Sequence, residues 1–186
     1  MRNRWIRAIA GALTAVVAGA LLTPPRQAHA AACDWRRPDS DIRRLFPGAD
    51  DYHPIYKRPF QQRSQIEARL GFQLAGWEDL IRYYVIMKDD RRIGTIFVHL
   101  TPDNTELVVG VTNEGAVKGV IVQRYQGSRK EQLEGAPFLG QFVGKTLAAP
   151  FQLGKDVKVA CPELEGPSGG ISLTVRKMLV LYSIYG

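Results

Sequence analysis

Four short runs rich in β-branched and aromatic residues follow one another in the middle of the chain. They cover residues 83–88, 94–101, 106–112 and 117–125. The last two runs are joined by Asn113-Glu114-Gly115, a turn sequence in which glycine can adopt a positive φ. Because strands with such short connections pair antiparallel, the sequence predicts a fold built around an antiparallel meander.

Short helices are predicted on both sides of this sheet, which makes the fold class α+β. Residues 41–46 follow capping residues, and residues 61–70 end at Gly71, a residue suited to terminate a helix. A further short helix is expected within residues 137–145. Residues 171–185 show the apolar stripe of a C-terminal helix.

The remaining segments are predicted to be mostly irregular. Residues 49–60 and the loop 162–170 show no periodic pattern, whereas residues 157–160 are a candidate for a short strand. An N-terminal part, residues 31–93, holds two helices and the first strand of the meander. It is expected to form one compact domain with the C-terminal part, residues 94–186.

The first thirty residues have the layout of a secretory signal peptide. Three arginines precede an apolar run over residues 8–22, and the segment ends in Ala28-His29-Ala30, an A-x-A cleavage site. The run is about fifteen residues long, which is short for a helix that crosses about 30 Å of hydrocarbon. We therefore expect residues 1–30 to be removed, giving a periplasmic or other extracytoplasmic protein. An uncleaved membrane anchor and a lipoprotein acylated at Cys33 are the alternatives.

Export changes the interpretation of the charge. The chain has 25 Lys+Arg and 18 Asp+Glu residues, and four arginines lie in the signal segment, which leaves 21 basic against 18 acidic residues. This balance does not suggest a phosphate-tracking basic surface, so nucleic acid is not an expected partner.

Cysteine and histidine usage favours a disulfide over a metal site. Cys33 and Cys161 both remain after cleavage, and in an oxidising compartment such a pair is more often bonded than free. His53 and His99 lack a metal-type partner at i+3 or i+4, so no metal is expected.

The segment Pro167-Ser168-Gly169-Gly170, placed before the C-terminal helix, is a candidate anion site. Ser168 could cap the helix, and Gly169 and Gly170 have no Cβ, so their N–H groups could approach a ligand closely. Nearby, Ser172 and Thr174 could donate hydroxyl hydrogen bonds, and Arg176 or Lys177 could add positive charge. The alternative is an ordinary glycine-rich turn with a serine cap.

Beyond this segment, residues 94–184 resemble the FMN-binding domain family. The strand pair 107–112 and 117–125 is similar to the paired strands of that family. Residues 137–145, PFLGQFVGK, resemble its F-x-x-Q-F-x-G-K segment, and residues 165–174, EGPSGGISLT, resemble its terminal motif D-x-x-S-G-A-T-x-T-S. Family members occur in small subunits of Rnf-type and sodium-pumping NADH:quinone oxidoreductases and in related periplasmic proteins.

Three departures modify what the resemblance implies. Ile171 stands at the threonine that receives FMN through a phosphoester in covalently flavinylated members, so covalent attachment is not expected. Ser172 is one residue away and about 100° around a helix. Glu165 replaces the family's Asp, and residues 126–129 replace its E-T-x-G segment.

The resemblance therefore implies noncovalent FMN. Its phosphate would lie on the helix-start residues, and its ring would lie near the strand ending at Tyr125 and the 138–142 segment. The residues expected to bind FMN are Ser168, Gly169, Gly170, Ser172, Thr174, Phe138 and Phe142. Since no nucleophile–base or acid–base constellation stands out, an electron carrier that meets membrane-bound or periplasmic redox proteins is expected. The alternative is a flavin-free domain of the same type that acts as an interaction or assembly subunit of a membrane redox complex.

Overall fold

A computed structural model of the 186-residue chain describes residues 35–76 and 78–186. Its centre is a five-stranded antiparallel sheet in which neighbours along the chain are neighbours in the sheet. The predicted meander and the α+β class are confirmed. The strands are β1 Asp51–Lys57, β2 Ile81–Lys88, β3 Arg91–Leu100, β4 Glu106–Thr112 and β5 Val117–Arg124.

Strand β1 was not predicted, because residues 49–60 were expected to be irregular. It lies at the edge of the sheet and pairs only with β2, with Ile55 opposite Tyr83. Most of its side chains are exposed, so it lacks the alternation that identifies a half-buried strand. Pro54 also argues against a central strand, but an edge strand tolerates proline because one of its sides makes no ladder hydrogen bonds.

Helices are short except for the last one. They are α1 Pro38–Leu45, α2 Arg63–Leu70, α3 Lys130–Leu133, α4 Ala136–Leu139 and α5 Glu165–Tyr185, with 3₁₀ turns at Pro59–Gln61, Gly140–Phe142 and Pro162–Leu164. Gly71 ends α2 at φ 79°, in the left-handed conformation expected of a terminating glycine. The predicted strand over residues 157–160 is wrong, since this region contributes only an isolated bridge between Leu153 and Val157.

Both faces of the sheet are covered. One face packs against α2 and α5 in a large core that includes Phe97, Val109 and Val175. The other face packs against α1 through a smaller cluster that includes Ile42 and Leu45. Gly119 permits this second contact, because a Cβ there would lie 2.7 Å from Leu45 Cδ2. Burial on both faces explains why β4 is apolar almost throughout.

Helix α5 begins at Glu165, six residues before the predicted start, so the prediction of a loop over residues 162–170 is wrong. Pro167 is compatible with this start because it is the third residue of the helix, where a backbone N–H has no intrahelical partner. Within the described ranges, no helix combines the length and apolar character that a membrane crossing requires. The predicted signal peptide, residues 1–30, and Cys33 lie outside those ranges, so cleavage and the disulfide to Cys161 stay predictions.

Candidate functional site

The glycine pair predicted to bind phosphate lies inside a helix rather than before it. With α5 beginning at Glu165, Gly169 and Gly170 are its fifth and sixth residues. Backbone N–H groups beyond the first turn are bonded to carbonyl groups four residues earlier, so these two amides point along the helix. The prediction that they form an open helix start is wrong, because the N–H groups without a partner inside α5 belong to residues 165–168.

The same glycines are in contact with neighbouring loops. A Cβ on Gly169 would lie 3.4 Å from Leu153 Cδ1, and one on Gly170 would lie 3.1 Å from Asp103 Oδ1. The absence of a side chain at 170 thus lets α5 approach the β3–β4 turn. In addition, the Asp103 carboxylate lies next to Gly170, and a carboxylate repels a phosphate that binds nearby.

Both serines of the predicted site are buried and bonded to the segment 151–160. Ser168 Oγ accepts a hydrogen bond from the Ala160 N–H at 3.2 Å, and Ser172 Oγ donates to the Phe151 carbonyl at 2.9 Å. Lys145 bonds Asp156 at 2.8 Å and so holds the same segment on the sheet side. The two hydroxyls therefore hydrogen-bond the segment 151–160 to α5 and do not face an open ligand site.

The aromatic residues of the predicted flavin site belong to the core. Phe138 and Phe142 are buried and meet edge to face, with ring centroids 5.5 Å apart. Phe138 also borders an open depression of about 710 Å³ next to Pro137, Gln141 and Lys158. Ile171, at the position of the family's flavin-bearing threonine, is completely buried. The predicted residues therefore do not surround one common space.

Thr174 is the exception among the predicted residues, since it borders a separate cavity. This cavity, of about 510 Å³, lies between α5, the segment after α2 and the turn that follows β3. Its wall is partly apolar and partly polar, and includes Phe72, Gln73, Ala75, Glu78, Leu100, Thr101, Pro102, Asn104, Leu173, Thr174 and Lys177. We refer to it as the α5 cavity.

Three ionisable side chains from distant parts of the chain meet beside the α5 cavity: Glu78 and Lys177 line it, and His99 contacts both of them from β3. Lys177 Nζ contacts Glu78 Oε1 directly and lies 2.9 Å from His99 Nε2. His99 Nε2 also lies 3.1 Å from Glu78 Oε1. All three side chains are largely buried, with exposed fractions of 10% for Lys177, 7% for Glu78 and 20% for His99.

Burial is the main influence on the two bases of this cluster. It lowers the pKa of Lys177 from 10.5 to about 7, because the ammonium form loses hydration inside the protein. Contact with Glu78 acts in the opposite direction, since a carboxylate favours the ammonium form. Burial also lowers the pKa of His99 from 6.5 to about 4, which keeps the imidazole neutral near pH 7.

Little in the sequence indicates this cluster. Its members lie at positions 78, 99 and 177, so no local motif joins them. The predicted phosphate site includes Lys177, together with Arg176, only as an added positive charge. Arg176 instead donates to the carbonyls of Leu70 and Arg69 at 2.9 and 3.0 Å, and so satisfies the last turn of α2. Lys177 lies on a different side of the helix from the apolar stripe that includes Ile171 and Val175, so the helix pattern does not single it out.

The chain matches no protein-family model and no curated protein. Among residues 35–76 and 78–186, no group of three His, Cys, Asp or Glu side chains is placed to hold a metal ion.

Proposed function

We propose that this chain is an exported, flavin-free domain of the FMN-binding type that acts as an interaction or assembly subunit of an envelope redox complex. The observation that supports this most is the packing of Gly169 and Gly170 against Leu153 and Asp103. In the resemblance, those glycines are the part of the motif that approaches the phosphate.

Physical chemistry argues against a phosphate at this position. A phosphate needs several hydrogen-bond donors, yet the Ser172 hydroxyl already donates to the Phe151 carbonyl, and Ser168 is completely buried against the Ala160 N–H. To admit the ligand, the segment 151–160 would have to separate from α5 and leave buried groups without partners. The Asp103 carboxylate would then face the phosphate at short range.

Purified mature protein provides the first test. We expect it to be colourless, without the absorbance bands of oxidised flavin, and to release no FMN on denaturation. A yellow protein that releases about one FMN per chain would contradict the proposal. Flavin that stays attached after denaturation would contradict both the proposal and the expectation that Ile171 prevents covalent attachment.

The assembly role is tested in the producing cell. Deleting the gene is expected to leave the membrane subunits of the redox complex present but to reduce the amount of assembled complex seen on native gels. Expression of the parent chain, which has Ile171, in the deletion strain should restore assembly. Assembly that is unaffected by the deletion would contradict the role.

A second function, noncovalent FMN binding with electron transfer, is favoured by one observation. The α5 cavity is large enough, at about 510 Å³, to take part of a flavin, and Thr174 from the predicted set borders it. In this case Thr174→Val should weaken FMN binding, whereas Ser168→Ala should not. Such a result would place the flavin in the α5 cavity and not at the glycine pair.

A further inference from the structure

The α5 cavity has a lysine amine in its wall, and the contacts of this amine differ from those of the surface lysines. Lys177 extends from the middle of α5 and ends between a carboxylate from the segment after α2 and an imidazole from β3. By comparison, Lys118 is an exposed residue of β5. The three groups at Lys177 therefore combine an amine, a proton acceptor and a neutral base beside one cavity.

An ion pair that only stabilised the fold would need neither the adjacent cavity nor the imidazole of His99. Burying two charges costs several kcal/mol per ion, and replacing such pairs with apolar residues is often neutral or stabilising. Here the pair lies beside an open space lined by Phe72 and Leu173, which could shield a bound molecule from water. Lysines that lose hydration in a partly apolar pocket are a usual source of nucleophilic amines in proteins.

We propose that Lys177 is a nucleophilic amine that binds a small aldehyde or ketone covalently in the α5 cavity as an imine. Glu78 removes a proton from the ammonium group, and the neutral amine adds to the carbonyl carbon to give a carbinolamine. Glu78, now protonated, returns its proton to the carbinolamine hydroxyl, which leaves as water while the C=N bond forms. Loss of the remaining N–H proton to water or Glu78 gives the neutral imine, so no oxidant or reductant is needed.

The cavity wall indicates the class of carbonyl compound. Phe72, Leu100 and Leu173 offer apolar contact for a hydrocarbon or aromatic body, whereas Gln73 and Asn104 offer amide groups for one polar substituent. Lys177 and Glu78 carry opposite charges, so the site does not favour a highly charged ligand. A neutral or singly charged aldehyde of modest size fits this lining best.

His99 supports the reaction without forming a bond to the ligand. Burial keeps its pKa at about 4, so near pH 7 the imidazole is neutral and adds no positive charge beside the amine. The same effect lowers the pKa of Lys177 to about 7, which makes a substantial fraction of the amine available at neutral pH. Glu78 is thus a charged group in contact with Lys177, and His99 is a neutral neighbour.

Reductive trapping tests the proposal on the unaltered mature chain. The folded protein is incubated at pH 7 with benzaldehyde and sodium cyanoborohydride, and the labelled lysines are identified by peptide mass mapping. We expect Lys177 to be labelled about tenfold or more faster than Lys118, because the neutral fraction of an exposed lysine at this pH is very small. Labelling of Lys177 at or below the rate of Lys118 would overturn the proposal.

Two variants make the result specific. Glu78→Gln retains the amine but removes the acid that protonates the carbinolamine hydroxyl, so labelling of Lys177 should fall several-fold while that of Lys118 is unchanged. Lys177→Arg keeps a cation in the cavity and should abolish the fast label. Equal labelling of Lys177 in the Glu78→Gln and parent proteins would exclude the proton-transfer role of Glu78. Because the probe is not a flavin, this outcome is independent of the proposed assembly function.

Discussion

At the scale of single residues, the contact between Glu78 and Lys177 links α5 to the segment after α2. Each side chain is largely buried, so each depends on the other for the interaction that replaces its hydration. His99 completes the contact from β3. None of this was predictable from the sequence, because residues separated by as much as 99 positions meet only after the sheet and α5 have packed. By contrast, Gly71 acts as the helix terminator that its position predicted.

Removing one member of the buried pair should destabilise the fold. Lys177→Met is expected to lower the free energy of unfolding by about 3 kcal/mol, because it leaves Glu78 as a buried carboxylate without its cation. Urea denaturation followed by circular dichroism measures this change. The double variant Glu78→Gln/Lys177→Met should recover part of the loss. A single variant as stable as the parent would show that the pair is not buried in solution.

His99 should make the fold sensitive to acid. Its pKa is about 4 in the folded protein against an ordinary value of 6.5, so the unfolded chain binds more protons between these two pH values. Stability is therefore expected to be complete above pH 6.5 and to fall by about 3 kcal/mol as the pH is lowered to 4.

The matched control for this effect is His99→Gln, which can still accept a hydrogen bond from Lys177 but does not titrate. Carboxylates elsewhere in the chain lose stabilising interactions in acid in both proteins, so the difference between the two pH profiles isolates His99. Parallel profiles for parent and variant between pH 4 and 6.5 would refute the assignment.

At the scale of secondary-structure elements, α5 shows the largest difference between the predicted start and the observed start. Pro167, Gly169 and Gly170 favour a loop by local propensity, but apolar residues later in the helix bury a large surface against β3 and β4. This tertiary packing outweighs the local cost of glycine in a helix, which is about 1 kcal/mol per residue. The meander was predictable because its turns, such as the one ending at Gly115, are short and local.

A pair of glycine substitutions tests whether the first turns of α5 are packed as described. Gly166 has open space around its Cα, so Gly166→Ala should raise the free energy of unfolding by about 0.5–1 kcal/mol through helix propensity. Gly170→Val should lower it by about 1–3 kcal/mol, because its side chain would collide with Asp103 and Pro102. Thermal unfolding of both variants provides the measurement. Equal changes in the free energy of unfolding at the two positions would mean that no loop packs against the start of α5.

At the scale of the whole molecule, a sheet covered on both faces leaves function to the loops and helix ends around it. The class of fold followed from the spacing of apolar runs, but the edge strand β1 did not, since its residues are mostly exposed and include Pro54. The predicted flavin residues are divided between the core, the 151–160 segment and the α5 cavity. The resemblance predicts one ligand for all of them, but neighbouring helix positions face different directions.

Titration of the mature protein with FMN, followed by quenching of flavin fluorescence, tests the central claim most directly. If α5 uses its glycine pair for packing, FMN up to about 100 μM should give no saturable quenching, and Gly169→Val should change stability but not the titration. Saturable binding of one FMN per chain that Gly169→Val abolishes, in a variant that remains folded, would contradict the account.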